Sequence, residues 1–310
     1  MTIPSDTAAQ TRLDPPPPPP PSLSAVRPFY WSVRRELWEN RSLYVAPLIA
    51  AGVVLFAFSI SAIHLPEHRL AALALDRATQ AVMIALPYDF AAMAIILAGL
   101  IVGGFYCLGA LHNERRDRSI LFWKSLPVSD LTTVLAKASV PLVVLPLILF
   151  AVVVATQLIM LALSTVVLLA NGVDPATTWS RLPLFEMPPV LLYGVAVLAL
   201  WYAPIWGWLL MVSGWARRAP FLWAVLPPLA LCVVEKIAFN TGNFASLLAD
   251  RLGGFGVAFT IRTHGKVPLD PVPGLDPLGF LSTPGLWGGL IFAAAFLAAA
   301  VWQRRYRAPI

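Results

Sequence analysis

The sequence predicts an all-α polytopic membrane protein with six transmembrane helices, and two observations carry that expectation. First, 58% of the residues are hydrophobic and only 12% are charged, whereas a soluble domain carries about 25% charged residues. A chain this apolar cannot keep a water-facing surface. Second, the apolar residues fall in continuous runs near the ~20 residues that cross a hydrocarbon core. The runs lie at about 44–63, 91–111, 139–170, 189–213, 220–234 and 285–302. Transmembrane β-strands would alternate apolar and polar residues instead.

The N-terminal tail, residues 1–27, reads as a disordered cytoplasmic segment. It has no apolar core for a cleavable signal peptide. The unbroken proline run from Pro15 to Pro21 favours a polyproline II tether, with an SH3-type ligand as the alternative. Residues 28–310 are expected to form one six-helix transmembrane domain. Its first segment, 28–42, reads PFYWSVRRELWENRS. Phe29, Val33 and Leu37 recur at four-residue spacing, with Tyr30 and Trp38 alongside and Arg34, Arg35, Glu36 and Glu39 between them. This predicts an amphipathic helix lying in the interface, aromatics at headgroup depth and arginines toward phosphates. A plain extension of the first span is the alternative.

The third run is longer than a span needs, and Pro141 and Pro146 are expected to break or kink its first turns. The fifth is short and holds Pro227-Pro228, so it is either bent or runs on through Glu235 and Lys236. Between the fifth and sixth runs, residues 235–284 are too apolar for a free loop and too broken for a span. Short re-entrant or interfacial helices account for them, with a small folded cap as the alternative. Residues 65–87 read as an outside loop.

Orientation follows from the basic residues. With the N-terminus in the cytoplasm, fifteen of the 22 Lys and Arg are cytoplasmic. Only Arg69, Arg77, Arg181, Lys236, Arg251, Arg262 and Lys266 remain outside. Both termini are therefore expected in the cytoplasm. This bias also accounts for the pI of 9.6 without nucleic acid.

Few groups in this chain suggest chemistry. None of the lysines, Lys124, Lys137, Lys236 and Lys266, follows a G-x-x-x-x-G-K-[ST] loop, so no nucleotide site of that kind is present and any ATP hydrolysis belongs to a partner. His64-x-x-Glu67-His68 has a metal-compatible spacing, yet reads more simply as polar residues at a span end. Cys107 and Cys232 sit within apolar runs and read as small buried hydrophobes. The span cores hold no ionisable residue; Asp89 and Glu235 lie at their boundaries. That disfavours an ion-coupled carrier. Gly99, Gly103 and Gly104, and Gly285, Gly288 and Gly289, permit close helix packing, within the chain or across a dimer seam.

The most distinctive segment is the charged island 112–130, HNERRDRSILFWKSLPVSD, between two uncharged runs. Glu114, Arg115, Arg116, Asp117 and Arg118 mix both signs; Ile120, Leu121, Phe122, Trp123 and Lys124 follow. Pro127 ends a helix near Leu126, and Ser129 or Asp130 caps the next. Exposed aromatics beside arginines compose an interaction hot spot; a helix resting on lipid headgroups is the alternative.

ER-x-DRSI-x-FWKSLPVSD, Glu114 to Asp130, followed by TVLAK, Thr133 to Lys137, resembles the cytoplasmic loop of ABC-2 type transporter permeases. The resemblance extends to the six spans, the helix before span one and the long outside segment before span six. It implies a permease subunit, not itself an enzyme, that pairs with a second permease copy and with cytoplasmic ABC ATPase subunits holding ATP and Mg. Residues 28–42 would be the elbow helix. The loop 112–137 would be the coupling segment, with Glu114, Arg115, Arg116, Asp117, Arg118, Phe122, Trp123 and Lys124 facing the ATPase. The proline-rich tail and the populated 65–87 loop depart from the family pattern. A membrane anchor that recruits a cytoplasmic partner is the competing reading.

Overall fold

A computed structural model describes residues 26–68, 77–117, 128–182, 185–260, 263–264, 267–268 and 274–306. Helix α1 (Val26–Glu39) ends at Asn40, whose amide Nδ2 donates to the Glu36 carbonyl at 2.9 Å. After a short turn the chain enters α2 (Ser42–Ser61), apolar on every side as a lipid-embedded helix must be. Helix α3 (Arg77–Ala110) is 34 residues long, about 51 Å at 1.5 Å per residue. That exceeds the ~30 Å hydrocarbon core. The 65–87 loop expectation is thus corrected: residues 77–87 are helix continuous with the span. Residues 69–76 lie outside the described residues.

A turn at Leu111 leads to the short helix α4 (His112–Arg116). Helix α5 (Asp130–Ser139) is capped by Ser129, whose Oγ accepts from the Thr132 N–H at 3.1 Å, as the sequence predicts. The proline-bearing stretch then does not break the chain. It continues through a π-helical turn, Val140–Val144, into α6 (Leu145–Ala170). Widening one turn lets Pro141, which has no N–H, stay within a continuous rod.

Helix α7 (Ala176–Arg181) precedes α8 (Met187–Trp201) and α9 (Ala203–Trp215). The last two meet at a 47° bend, where Pro204 starts α9 as prolines do in first turns. Helix α10 (Pro220–Phe239) continues unbroken through Pro227, Pro228, Glu235 and Lys236. Then come α11 (Asn243–Gly253), a 3-10 turn (Gly254–Ala258), strands β1 (Phe259–Thr260), β2 (Thr263–His264), β3 (Val267–Pro268) and β4 (Gly274–Leu275), α12 (Pro277–Ser282) and α13 (Pro284–Tyr306). Among the described residues five helices are long and apolar enough to cross a membrane, or six if the bent α8–α9 pair is one span.

The glycines of α3 are used inside the chain. A Cβ at Gly99 would lie 2.4 Å from a Leu149 methyl of α6, and one at Gly103 would lie 2.8 Å from Leu145. Helices α9 and α13 approach as closely: a Cβ at Gly207 would lie 3.1 Å from the main-chain oxygen of Ala293. Cys107 is fully buried with Leu43, Tyr106, Val140, Trp206 and Leu210, while Cys232 is half-buried on α10. Helix α10 differs from the other long helices. Only 6% of its apolar window is buried within the chain, against 39% for α3.

The segment after α10 is a small folded cap. Its two ladders are antiparallel and nested, β1 on β4 (Phe259↔Leu275) around β2 on β3 (His264↔Val267). Ala258 and Phe280 bury against Val197, Trp201 and Leu286. Arg251 fastens the cap to the α8–α9 bend: its guanidinium stacks 4.5 Å from the Trp201 ring centroid and donates to the carbonyls of Trp201 (3.2 Å) and Gly285 (2.6 Å). Glu235 caps α11, its carboxylate accepting from the N–H groups of Asn243 and Phe244 at 2.8 Å each. We call the end of the bundle that holds the cap distal, and the end that holds α1 and the close of α13 proximal.

Candidate functional site: a buried charge node at the proximal end

Four segments far apart in sequence converge on one carboxylate. Glu114, on α4, is buried. Its Oε1 accepts from Arg35 of α1 at 2.8 Å and lies 3.1 Å from the Lys137 ammonium of α5; its Oε2 accepts from Arg304 of α13. A second carboxylate, Glu36 of α1, takes the same ammonium at 2.7 Å and the Tyr106 hydroxyl at 3.0 Å. Arg304 also donates through Nε to Asp130 at 3.1 Å, and Arg35 to Glu39 at 2.9 Å. Three cations thus alternate with four carboxylates.

The local sequence explains each placement. On α1, Glu36 and Leu37 turn toward the bundle, and Leu37 packs on the cluster around Leu43 and Tyr106. Lys137 lies in the last turn of α5 before the π-helical turn, buried against α1 and α4. Arg304 lies in the last turn of α13. Burial lowers the pKa of the Arg35 guanidinium, but Glu36, Glu39 and Glu114 outweigh it and raise the value. Two charges taken out of water need such close partners, because desolvation costs each ion several kcal/mol.

A second set of bonds locks α4 to the end of α9. The Ser213 hydroxyl accepts from the N–H groups of Leu111 and His112 at 2.9 Å each. Arg115 Nη1 donates to the Gly214 carbonyl at 2.6 Å, and His112 Nδ1 to that of Ala216 at 3.1 Å. A carbonyl can only accept, so Nδ1 carries the imidazole proton in this arrangement.

The island residues expected to face a partner therefore divide. Glu114 and Arg115 are buried within the chain, while Arg116 and Asp117 are exposed and pair with each other at 3.1 Å. Arg118, Phe122, Trp123 and Lys124 lie outside the described residues. On α1, Phe29, Val33 and Leu37 are half-buried, and Tyr30 and Trp38 are exposed. The expectation that all the α1 arginines face phosphates is corrected: Arg35 points into the node. Arg34 instead lies between Trp31 and Trp38, 5.1 and 4.8 Å from their ring centroids. The role of Glu36, Lys137, Asp130 and Arg304 was missed, because basic residues flanking apolar runs are already explained by orientation. At the distal end, His64 and Glu67 form an exposed pair at 3.9 Å.

Every cation of the node has a carboxylate partner. The node ties α1, α4, α5 and α13 together at one point. No family model matches the chain, and no curated protein or solved structure matches it.

Proposed function

We propose that this chain is the membrane-spanning permease subunit of an ABC-2 type exporter, working with a second permease copy and a separate ATPase that binds ATP and Mg. It would be a multi-pass protein of the cell (inner) membrane with both termini cytoplasmic. The observation that carries this reading is the position of the charge node. It ties together α1, the island and α13 directly beside residues 118–127, the segment whose sequence resembles the family's coupling loop. A push on that segment by a partner would reach α3, α5–α6 and α13 through paired charges rather than through a slack loop.

The uncovered apolar faces support the two-copy part of the reading. Helix α10 is almost bare, and α2 and α3 each present an exposed stripe: Ile49, Val53, Phe56 and Ile60, and Met83, Phe90, Leu97 and Ile101. A path between two copies lined by α2, α3 and α10 would let an amphiphile cross without a buried charge.

The test is affinity purification in mild detergent with the neighbouring cytoplasmic proteins identified, followed by ATP-driven transport in sealed vesicles. Phe122→Ala with Trp123→Ala is expected to leave insertion intact, because the spans are untouched. It should weaken ATPase binding by about 2 kcal/mol or more, the scale of a hot-spot truncation, and abolish transport. A double variant that inserts, binds the ATPase as before and still transports refutes the coupling role. Transport driven by a proton gradient without nucleotide refutes the class.

A further inference from the structure

The distal half of the bundle holds a cavity of about 260 Å³ between α3, α6, α8 and the 3-10 turn of the cap. It lies near the lower end of the ~300–1,000 Å³ typical of small-molecule sites. Its lining is mostly aliphatic, with two polar exceptions, Asp89 of α3 and Gln157 of α6, and two aromatic ones, Phe255 and Phe259 of the cap. Gln157 spends its amide N–H on the Tyr88 carbonyl at 3.3 Å, which leaves its carbonyl oxygen as an acceptor. Asp89 has no ion-pair or hydrogen-bond partner among the described residues. Phe259 is held edge-on by Tyr193, with ring centroids 5.5 Å apart.

From these groups we propose that the cavity binds a small organic cation, a protonated amine carrying a compact apolar body. The lining offers negative charge, an acceptor oxygen and two aromatic rings, and none of its residues is basic. Asp89 is exposed at the edge of the cavity, so an entering cation can reach its carboxylate and pair with it. Phe255 and Phe259 add the attraction of an aromatic face for a cation, and Ala92, Ile96 and Leu198 suit the apolar body. The volume matches one such molecule. Gly194, also in the lining, keeps the wall open beside Phe259: a Cβ there would lie 3.5 Å from the ring.

The inference is independent of the transport reading, because it is tested by binding alone. The full chain in phosphatidylcholine nanodiscs is titrated with tritiated 1-adamantylammonium, with empty nanodiscs subtracted; uncharged 1-adamantanol is the competitor. The expected result is saturable binding, with adamantanol competing at least about tenfold more weakly. Asp89→Asn, which keeps the side chain's shape, should lower affinity at least about tenfold, as loss of a close charge pair does. Gly194→Leu, which fills the cavity and leaves the charge, should abolish binding. Thermal unfolding of each variant reports folding. Absence of saturable binding, equal competition by adamantanol, or wild-type affinity in a folded Asp89→Asn each overturns the proposal. If Asp89→Asn fails to fold, the adamantanol comparison and Gly194→Leu decide it.

Discussion

The Lys137 ammonium sits between Glu36 and Glu114 with its side chain 2% exposed. Deleting it leaves the buried Glu36 carboxylate with the Tyr106 hydroxyl and, at 3.6 Å, Arg35, while Glu114 keeps Arg35 and Arg304. Lys137→Met is therefore expected to destabilise the protein by about 3–5 kcal/mol, the cost of breaking a buried pair from one side. Adding Glu36→Gln should recover part of that loss, because one stranded charge is removed with its partner. Thermal unfolding in detergent checks both against Glu36→Gln alone; a double variant that loses the sum of the two single losses would show that the two groups do not interact. At this scale the sequence was only half legible. It shows where Glu36, Lys137 and Arg304 stand, but most of their partners lie 70 to 190 residues away. No local pattern encodes such pairings, and the orientation rule offers each cation a sufficient separate reason to be there.

At the scale of the helices, composition was more informative than geometry. A run without charges is forced into a span by the missing hydration of its backbone alone, so the long helices could be read directly. The small-residue patterns predicted close packing but not the partner, because a glycine records only that something is near. Gly99 and Gly103 meet leucines of α6, and Gly207 meets the α13 main chain. The nature of the neighbour sets the cost of an added methyl. Gly207→Ala is expected to lower the melting temperature more than Gly99→Ala, although the gap at Gly99 is narrower, because the Leu149 methyls can rotate away and the Ala293 carbonyl cannot. A larger loss at Gly99 would mean that α3 and α6 are the stiffer pair. The bend between α8 and α9 was not legible, since Pro204 at a helix start looks no different from a proline that merely begins a span. Its 47° angle is held from outside by Arg251 and Phe280 of the cap.

For the molecule as a whole, α1 and the end of α13 share the proximal end, joined through Glu114. With the basic bias of that end, this predicts that a reporter active only outside the cell stays silent when fused after Ile310, and that the same reporter becomes active when inserted in the cap, for example after Gly242. Activity after Ile310 would invert the topology. The overall class was legible because composition acts on the entire chain. The island's outer half was not settled, since Phe122 and Trp123 fall outside the described residues. The node also has a consequence for the order in which the chain is made. Synthesis proceeds from the N-terminus, so Glu114 and Asp130 wait for almost the whole polypeptide before Arg304 arrives. A nascent chain halted short of that residue leaves Asp130 without its guanidinium and Glu114 with that of Arg35 alone, and the newborn protein completes its charge balance only as α13 is delivered.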